Sequence, residues 1–174
     1  MSKPITIYLD MDGVLADFHK EYAEYRKTEA NDHAKFFSAI HDHKIFEKLD
    51  LFPGASQLLN HVAVLQYEDP TLKIEILTSK GTHDPFRGAE SQEQKLNWLK
   101  RHNIKYKANF VCCKEEKAEY ATPYSILIDD SIGCIKPFEH EGGHGILYKS
   151  YNQGGTELDN LLIQMRAMNA ARVA

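Results

Sequence analysis

Cysteine is scarce in this chain, with three among 174 residues and two of them adjacent at positions 112 and 113. Such a set makes a poor disulfide framework and suits a reducing compartment, so the cytoplasm is the expected location. The three thiols read as small buried apolar groups. Long hydrophobic runs are missing too: nothing approaches the ~20 apolar residues of a spanning helix, so no membrane partner is expected. The opening MSKPITIYLDMDG reaches charged residues within a dozen positions, which leaves no room for the apolar core of a secretory signal. Nor is there a basic excess, the formal net charge being −4. A general nucleic-acid binder presents a basic face, and no extended nucleic-acid surface is expected here. One small anionic substrate, held by a few local cations, remains open. No repeat or low-complexity segment is visible. The hydrophobic fraction of 43% and charged fraction of 26% are those of an ordinary globular chain. Its length fits one domain with room for a small inserted subdomain. A homodimer is compatible with the chain, which does not itself fix an oligomeric state.

What is present is an alternation of short apolar runs and helical patterns. Ile5 to Leu9, Ile74 to Leu77 and Ile126 to Ile128 are aliphatic and too short for helices, so each reads as a buried strand. Phe110 to Cys112 and Gly145 to Tyr148 are weaker strand signals, and Glu75 interrupts the second run. Between them, Ala55 to Gln66 follows a Pro53-Gly54 turn and places Leu58, Leu59, Val62 and Leu65 on one helical face. Gln92 to His102 brings Leu96 and Leu99 together beside Trp98. In the tail, Thr156 and Asp159 suggest a capping box that opens a helix carrying Leu158, Leu161, Leu162, Met165 and Met168. Alternating strands and helices indicate an α/β domain with a mostly parallel sheet. From Phe18 to Phe52 the pattern changes to polar helices bearing aromatics. The expected organisation is therefore a three-layer parallel α/β core from residues 1–17 and 53–174, with a small helical cap at 18–52 inserted after the first strand and overhanging the carboxyl edge of the sheet.

Each of the three clearest strands ends in residues suited to phosphoryl transfer: Asp10-Met11-Asp12-Gly13, Thr78-Ser79 and Asp129-Asp130. Ligands of open parallel sheets bind outside the carboxyl ends of the strands, so distant points of the sequence converge on one place. A lone aspartate at a strand end is commonly a turn former or helix cap. Four that meet repel one another by several kcal/mol (roughly) at low dielectric. A hard cation relieves that repulsion, and carboxylate oxygens with retained water suit Mg²⁺. Successive strand side chains point to opposite faces, so Asp10 and Asp12 can flank a reacting group once the chain leaves the strand. Gly13 permits the tight turn this needs.

Asp-Met-Asp-Gly-Val-Leu-Ala-Asp at 10–17 resembles the first motif of the haloacid dehalogenase-like hydrolases. Ile-Leu-Thr-Ser at 76–79 and Ile-Leu-Ile-Asp-Asp at 126–130 resemble the second and fourth. Within that superfamily the chain is most similar to the 5′(3′)-deoxyribonucleotidases, through DMDGVLADF at 10–18, Phe52-Pro53-Gly54-Ala55 opening the next helix, the Thr-Ser pair, and a lysine about a dozen residues before Asp129-Asp130. The resemblance runs from about residue 5 to 150. It implies a Rossmann-like fold and a magnesium-dependent phosphatase acting on a small phosphate monoester, a deoxynucleoside monophosphate being the expected substrate. Asp10 would be the nucleophile, and Asp12 the general acid that later becomes the general base. Mg²⁺ would sit on the Asp10 carboxylate, the Asp12 backbone carbonyl and Asp130, with Asp129 assisting. Thr78 and neighbouring amides, with Ser79 beside them, would hold phosphate oxygens, and Lys117 would offset the phosphate charge. Lys95 and Lys114 lie in windows that also suit the lysine role. Many relatives carry Arg where this chain has Ser131, so one phosphate or leaving-group contact of the pattern lacks its usual residue.

Substrate choice falls to the insertion, where Phe18, Phe36, Phe37, Ile40 and Phe46 are candidates to cover a nucleobase. Base stacking on an aromatic is worth ~1–3 kcal/mol. Several of these would equally form the insert's own core. A sugar phosphate or a phosphorylated nucleic-acid end is the enzymatic alternative, and a catalytically idle nucleotide-binding relative is the non-enzymatic one. His140-Glu141-Gly142-Gly143-His144 matches the letters of a helical zinc pattern, but two adjacent glycines disfavour the helix that this pattern needs. A loop is expected there. His41-Asp42-His43 reads as a polar stretch of the insert.

Overall fold

The computed structural model describes residues 3–27 and 32–171. Five strands form one sheet: β1 (Thr6–Leu9), β2 (Lys73–Ser79), β3 (Lys107–Val111), β4 (Ser125–Asp129) and β5 (His144–Leu147). Their order is β3-β2-β1-β4-β5, and every neighbouring pair is parallel. The first strand therefore lies in the centre, with its end open between β2 and β4. All five residues of β4 are buried, as expected of a strand enclosed on both faces.

The two-residue period of the strands separates two cores. Ile7, Leu9, Ile74, Ile76, Ile126, Ile128 and Ile146 pack with α4 (Ala55–Glu68), α5 (Pro85–Arg101) and α7 (Tyr151–Ala171). Tyr8, Leu77, Leu127 and Leu147 pack on the other side with Cys134, Ile135 and Phe138 of α6 (Ile132–His140) and with Tyr120 of a 3-10 helix (Lys114–Tyr120). The result is three layers, helix–sheet–helix.

Between β1 and α4 lie α1 (Phe18–Arg26), α2 (Asp32–His41) and α3 (Ile45–Lys48). Residues 28–31 of the expected cap lie outside the described residues. The chain enters and leaves this insert through a narrow neck. There the Asp17 amide donates to the Asp50 carbonyl at 3.0 Å, and the Phe52 amide donates to the Leu15 carbonyl at 2.8 Å.

Several local expectations need correction. Helix α5 begins seven residues before Gln92, because Asp84 accepts from the Phe86 and Arg87 amides while Pro85 occupies the first turn. Helix α6 escaped the pattern reading, being nine residues long with Gly133 and Pro137 inside it. Helix α7 starts at Tyr151, so Thr156 is interior, and its hydroxyl donates to the Asn152 carbonyl at 2.8 Å instead of capping. The Gly154-Gly155 pair sits within this helix. A Cβ at Gly154 would come within 2.6 Å of the Tyr148 ring, so close packing explains a glycine that propensity disfavours. The histidine pair at 140 and 144 ends α6 and opens β5 with a turn between, so it shares no helical face. Of the cysteines only Cys134 is buried, while Cys112 and Cys113 are partly exposed.

Candidate active site

Strand register assembles the acids. Leu9 stands opposite Ile128 in the ladder, and the Asp10 amide donates to the Ile128 carbonyl at 2.9 Å. Asp10 and Asp129 thus leave adjacent strands together, with Asp130 one residue beyond. Ligating oxygens of Asp10, Asp129 and Asp130 all lie within 4.8 Å of one another. Gly13 turns the chain at a φ of +79°, and a Cβ there would fall 2.2 Å from the Asp130 carboxylate. Only glycine leaves that oxygen its place.

Two buried lysines answer these charges. Lys117 Nζ stands 2.7 Å from Asp10 Oδ1 and 2.7 Å from Asp129 Oδ2. Burial works against its positive charge, yet the two carboxylates outweigh that and hold the ammonium above its ordinary range. Lys95, reaching across from α5, donates to Asp12 Oδ2 and, at 2.9 Å, to the Thr78 hydroxyl. Lys114 is exposed at the start of the 3-10 helix, with its ammonium near Gly133. Ser79 turns its hydroxyl toward the Cys112 carbonyl at 3.2 Å and accepts from the Gly81 amide at 3.0 Å. It thereby shapes the loop that follows β2.

The acids differ in proton affinity because their surroundings differ. Burial is the main reason that Asp12 titrates above the usual carboxylate range; Lys95 opposes the shift and Asp10 adds to it. Its Oδ1 is buried without a hydrogen-bond partner among the described residues. Asp129 is pushed up to about 6, first by burial and then by the charge of Asp10, against the pull of Lys117. Asp130 is raised by burial, with a hydrogen bond from His19 opposing. That imidazole reaches down from α1 to within 2.8 Å of Asp130 Oδ2, a contact between insert and core that the sequence reading did not include. Its position one residue after Phe18 was the only available hint.

The aromatics divide into groups. Phe18 stacks on Tyr22 at 5.2 Å and on Phe46 at 5.5 Å. Phe46 and Ile40 are buried in the core. Phe36 packs edge-on against Phe18 and Tyr22 and lies against Gly81, next to the loop after Ser79. Phe37 lies under the Arg87 guanidinium, 4.1 Å away, and lines a cavity of about 460 Å³ with Phe86, His41 and Glu90. Asp10, Asp12, Asp129 and Asp130 do not line that cavity.

The donor set suits a hard divalent cation. It offers carboxylate oxygens only, and three carboxylates against the single ammonium of Lys117 leave a formal charge of −2. Asp10, Asp129 and Asp130 could hold such an ion.

No family model matches the chain, and no curated protein matches it closely enough to be reported. Solved structures do share its fold. A haloacid dehalogenase-like family hydrolase from Xanthomonas campestris superposes with a TM-score of 0.59 at 13% identity, covering 98% of this chain and 95% of that one. A hydrolase from Streptococcus pneumoniae TIGR4 gives 0.53 at 15% identity, covering 90% and 99%. A protein described as a dehalogenase gives 0.51 at 13% identity, covering 83% and 84%. The fold is thus the haloacid dehalogenase-like α/β fold. At these identities the likeness defines architecture, and function must be argued from the site.

Proposed function

We propose that this chain is a magnesium-dependent phosphomonoesterase that forms an aspartyl-phosphate on Asp10 and acts on deoxynucleoside monophosphates. The observation that carries the reading is Lys117, buried and held 2.7 Å from both Asp10 and Asp129 at the carboxyl edge of the sheet. A buried cation against a buried nucleophile lets a dianionic phosphate approach a carboxylate without prohibitive repulsion.

Asp10 attacks phosphorus, and the bond from phosphorus to the ester oxygen breaks. The departing alkoxide takes a proton from Asp12, whose raised proton affinity and unpartnered Oδ1 suit that donation. Lys95 fixes the other oxygen of Asp12 and the Thr78 hydroxyl together. Water then attacks phosphorus and gives its proton to Asp12; phosphate leaves and the Asp10 carboxylate is restored. Mg²⁺ on Asp10, the Asp12 carbonyl and Asp130, with Asp129 assisting, would supply further neutralisation of phosphate charge. The nucleotide preference rests on the aromatic insert, where Phe36 lies against Gly81 in the loop after Ser79.

The test is phosphate release from a panel of monophosphates, with Mg²⁺ and with EDTA. Deoxynucleotides should turn over well ahead of ribose 5-phosphate, and EDTA should abolish release. Equal turnover of sugar phosphates would replace the substrate reading. If no monophosphate is hydrolysed while nucleotide still raises the melting temperature, the chain is a binding module.

A further inference from the structure

We propose that His83, Cys112 and Glu116 form a second metal site, one for a borderline-soft divalent cation such as Zn²⁺. Its residues are separate from the acids described above, and the proposal is independent of the phosphatase reading.

One ligating atom from each of the three side chains lies within 4.8 Å of the others. They arrive from three segments: the loop between β2 and α5, the residue after β3, and the 3-10 helix. Glu116 is already held in place. Its Oε2 accepts from the Cys112 amide at 2.7 Å, its Oε1 accepts from the Cys113 thiol at 3.5 Å, and His83 Nδ1 stands 3.6 Å from the same Oε1.

The donor chemistry selects the ion. An imidazole, a thiol and a carboxylate form the mixed set that Zn²⁺ accepts, whereas Mg²⁺ takes oxygen ligands. Three protein ligands leave the fourth tetrahedral position to water. Metal–ligand bonds of about 2.0–2.3 Å place tetrahedral donors roughly 3.5 Å apart, so donors at most 4.8 Å apart must approach by up to about 1.3 Å. His83 can supply that movement, since its side chain is 71% exposed. On binding, Cys112 Sγ releases its proton to solvent and becomes the thiolate ligand. The bound ion would tie the 80–84 loop to the short helix that carries Lys117. Through the Ser79 hydroxyl on the Cys112 carbonyl, it would also brace the turn after Thr78.

Without metal Glu116 pairs with His83 and accepts from the Cys112 amide and the Cys113 thiol, and cobalt distinguishes the two cases. Titrating the full chain with Co²⁺ should produce near-ultraviolet sulfur-to-cobalt charge-transfer absorption that saturates at one equivalent and is displaced by Zn²⁺. The band should persist in Asp10→Asn, Cys113→Ser and Cys134→Ser, and vanish in Cys112→Ser. Should Cys112→Ser misfold, the same question is answered by alkylation of the Asp10→Asn protein. There, Zn²⁺ should slow iodoacetamide modification of Cys112 at least about tenfold, read by peptide mass. No charge-transfer band, a band that survives Cys112→Ser, or alkylation indifferent to Zn²⁺ would overturn the assignment.

Discussion

Lys95 and Asp12 form an ion pair across 83 positions of sequence, with the lysine side chain fully enclosed and the aspartate a quarter exposed. Removing one member of such a pair leaves the other charge buried and uncompensated, at a cost on the order of 3 kcal/mol. Lys95→Met should therefore lower stability by about that amount, while Lys95→Met combined with Asp12→Asn should recover much of it. Urea unfolding of both singles and the double completes the cycle. Strict additivity would show that the pair contributes nothing.

Asp10→Asn should keep the fold and lose at least about a thousandfold in kcat, because amide nitrogen and oxygen cannot form the phosphoenzyme. Rapid quench and intact mass should detect phosphorylated wild type and no phosphorylated variant. Activity that survives the substitution excludes Asp10 as the nucleophile.

Gly13→Ala should act on the metal through shape. The φ of +79° and the 2.2 Å approach to the Asp130 carboxylate force either the turn or the acid to move. A loss of about 1–3 kcal/mol is expected, along with loss of the melting-temperature increase that Mg²⁺ should give the wild type. An undiminished Mg²⁺ response would mean that Asp130 is not a ligand.

His102 makes stability depend on pH. Its ring lies 4.4 Å from that of Trp98, and burial, followed by the charge of Arg101, holds its protonation below the usual histidine range. The unfolded chain therefore takes the proton first as pH falls. The stability involved is complete above about pH 6.5 and declines as pH drops toward the folded value. Urea midpoints at pH 7.5 and 5.5 should fall less for His102→Gln than for wild type. Identical declines would clear His102 of the effect.

The strands that were legible in advance are those the fold encloses. β1, the middle of β2 and β4 read as aliphatic runs because both of their faces are covered. Glu75 obscured β2, and its role became visible only with the neighbouring strand, where Asn109 Nδ2 and Lys107 Nζ donate to it at 2.7 and 3.3 Å. β5 opens with His144-Gly145 and β3 carries Lys107 and Asn109, so the edges of the sheet gave weak signals. The start of α7 was misplaced because tertiary packing of Gly154 against Tyr148 overrides helix propensity.

The site was legible in part for similar reasons. Acids at strand ends announce themselves, since the polypeptide gains nothing structural from gathering them. Lys95 and His19 were harder to place. One projects from a helix and the other from the insert, and neither element's position relative to the sheet follows from local pattern.

The neck at Leu15–Asp17 and Asp50–Phe52 has an architectural meaning. Because both crossings pair with each other, the insert is attached as a closed loop of chain whose ends already meet. A different insert could be grafted onto the same two rungs provided that it replaced the hydrogen bond His19 gives Asp130, so the sheet edge and the segment above it can be exchanged at one contact.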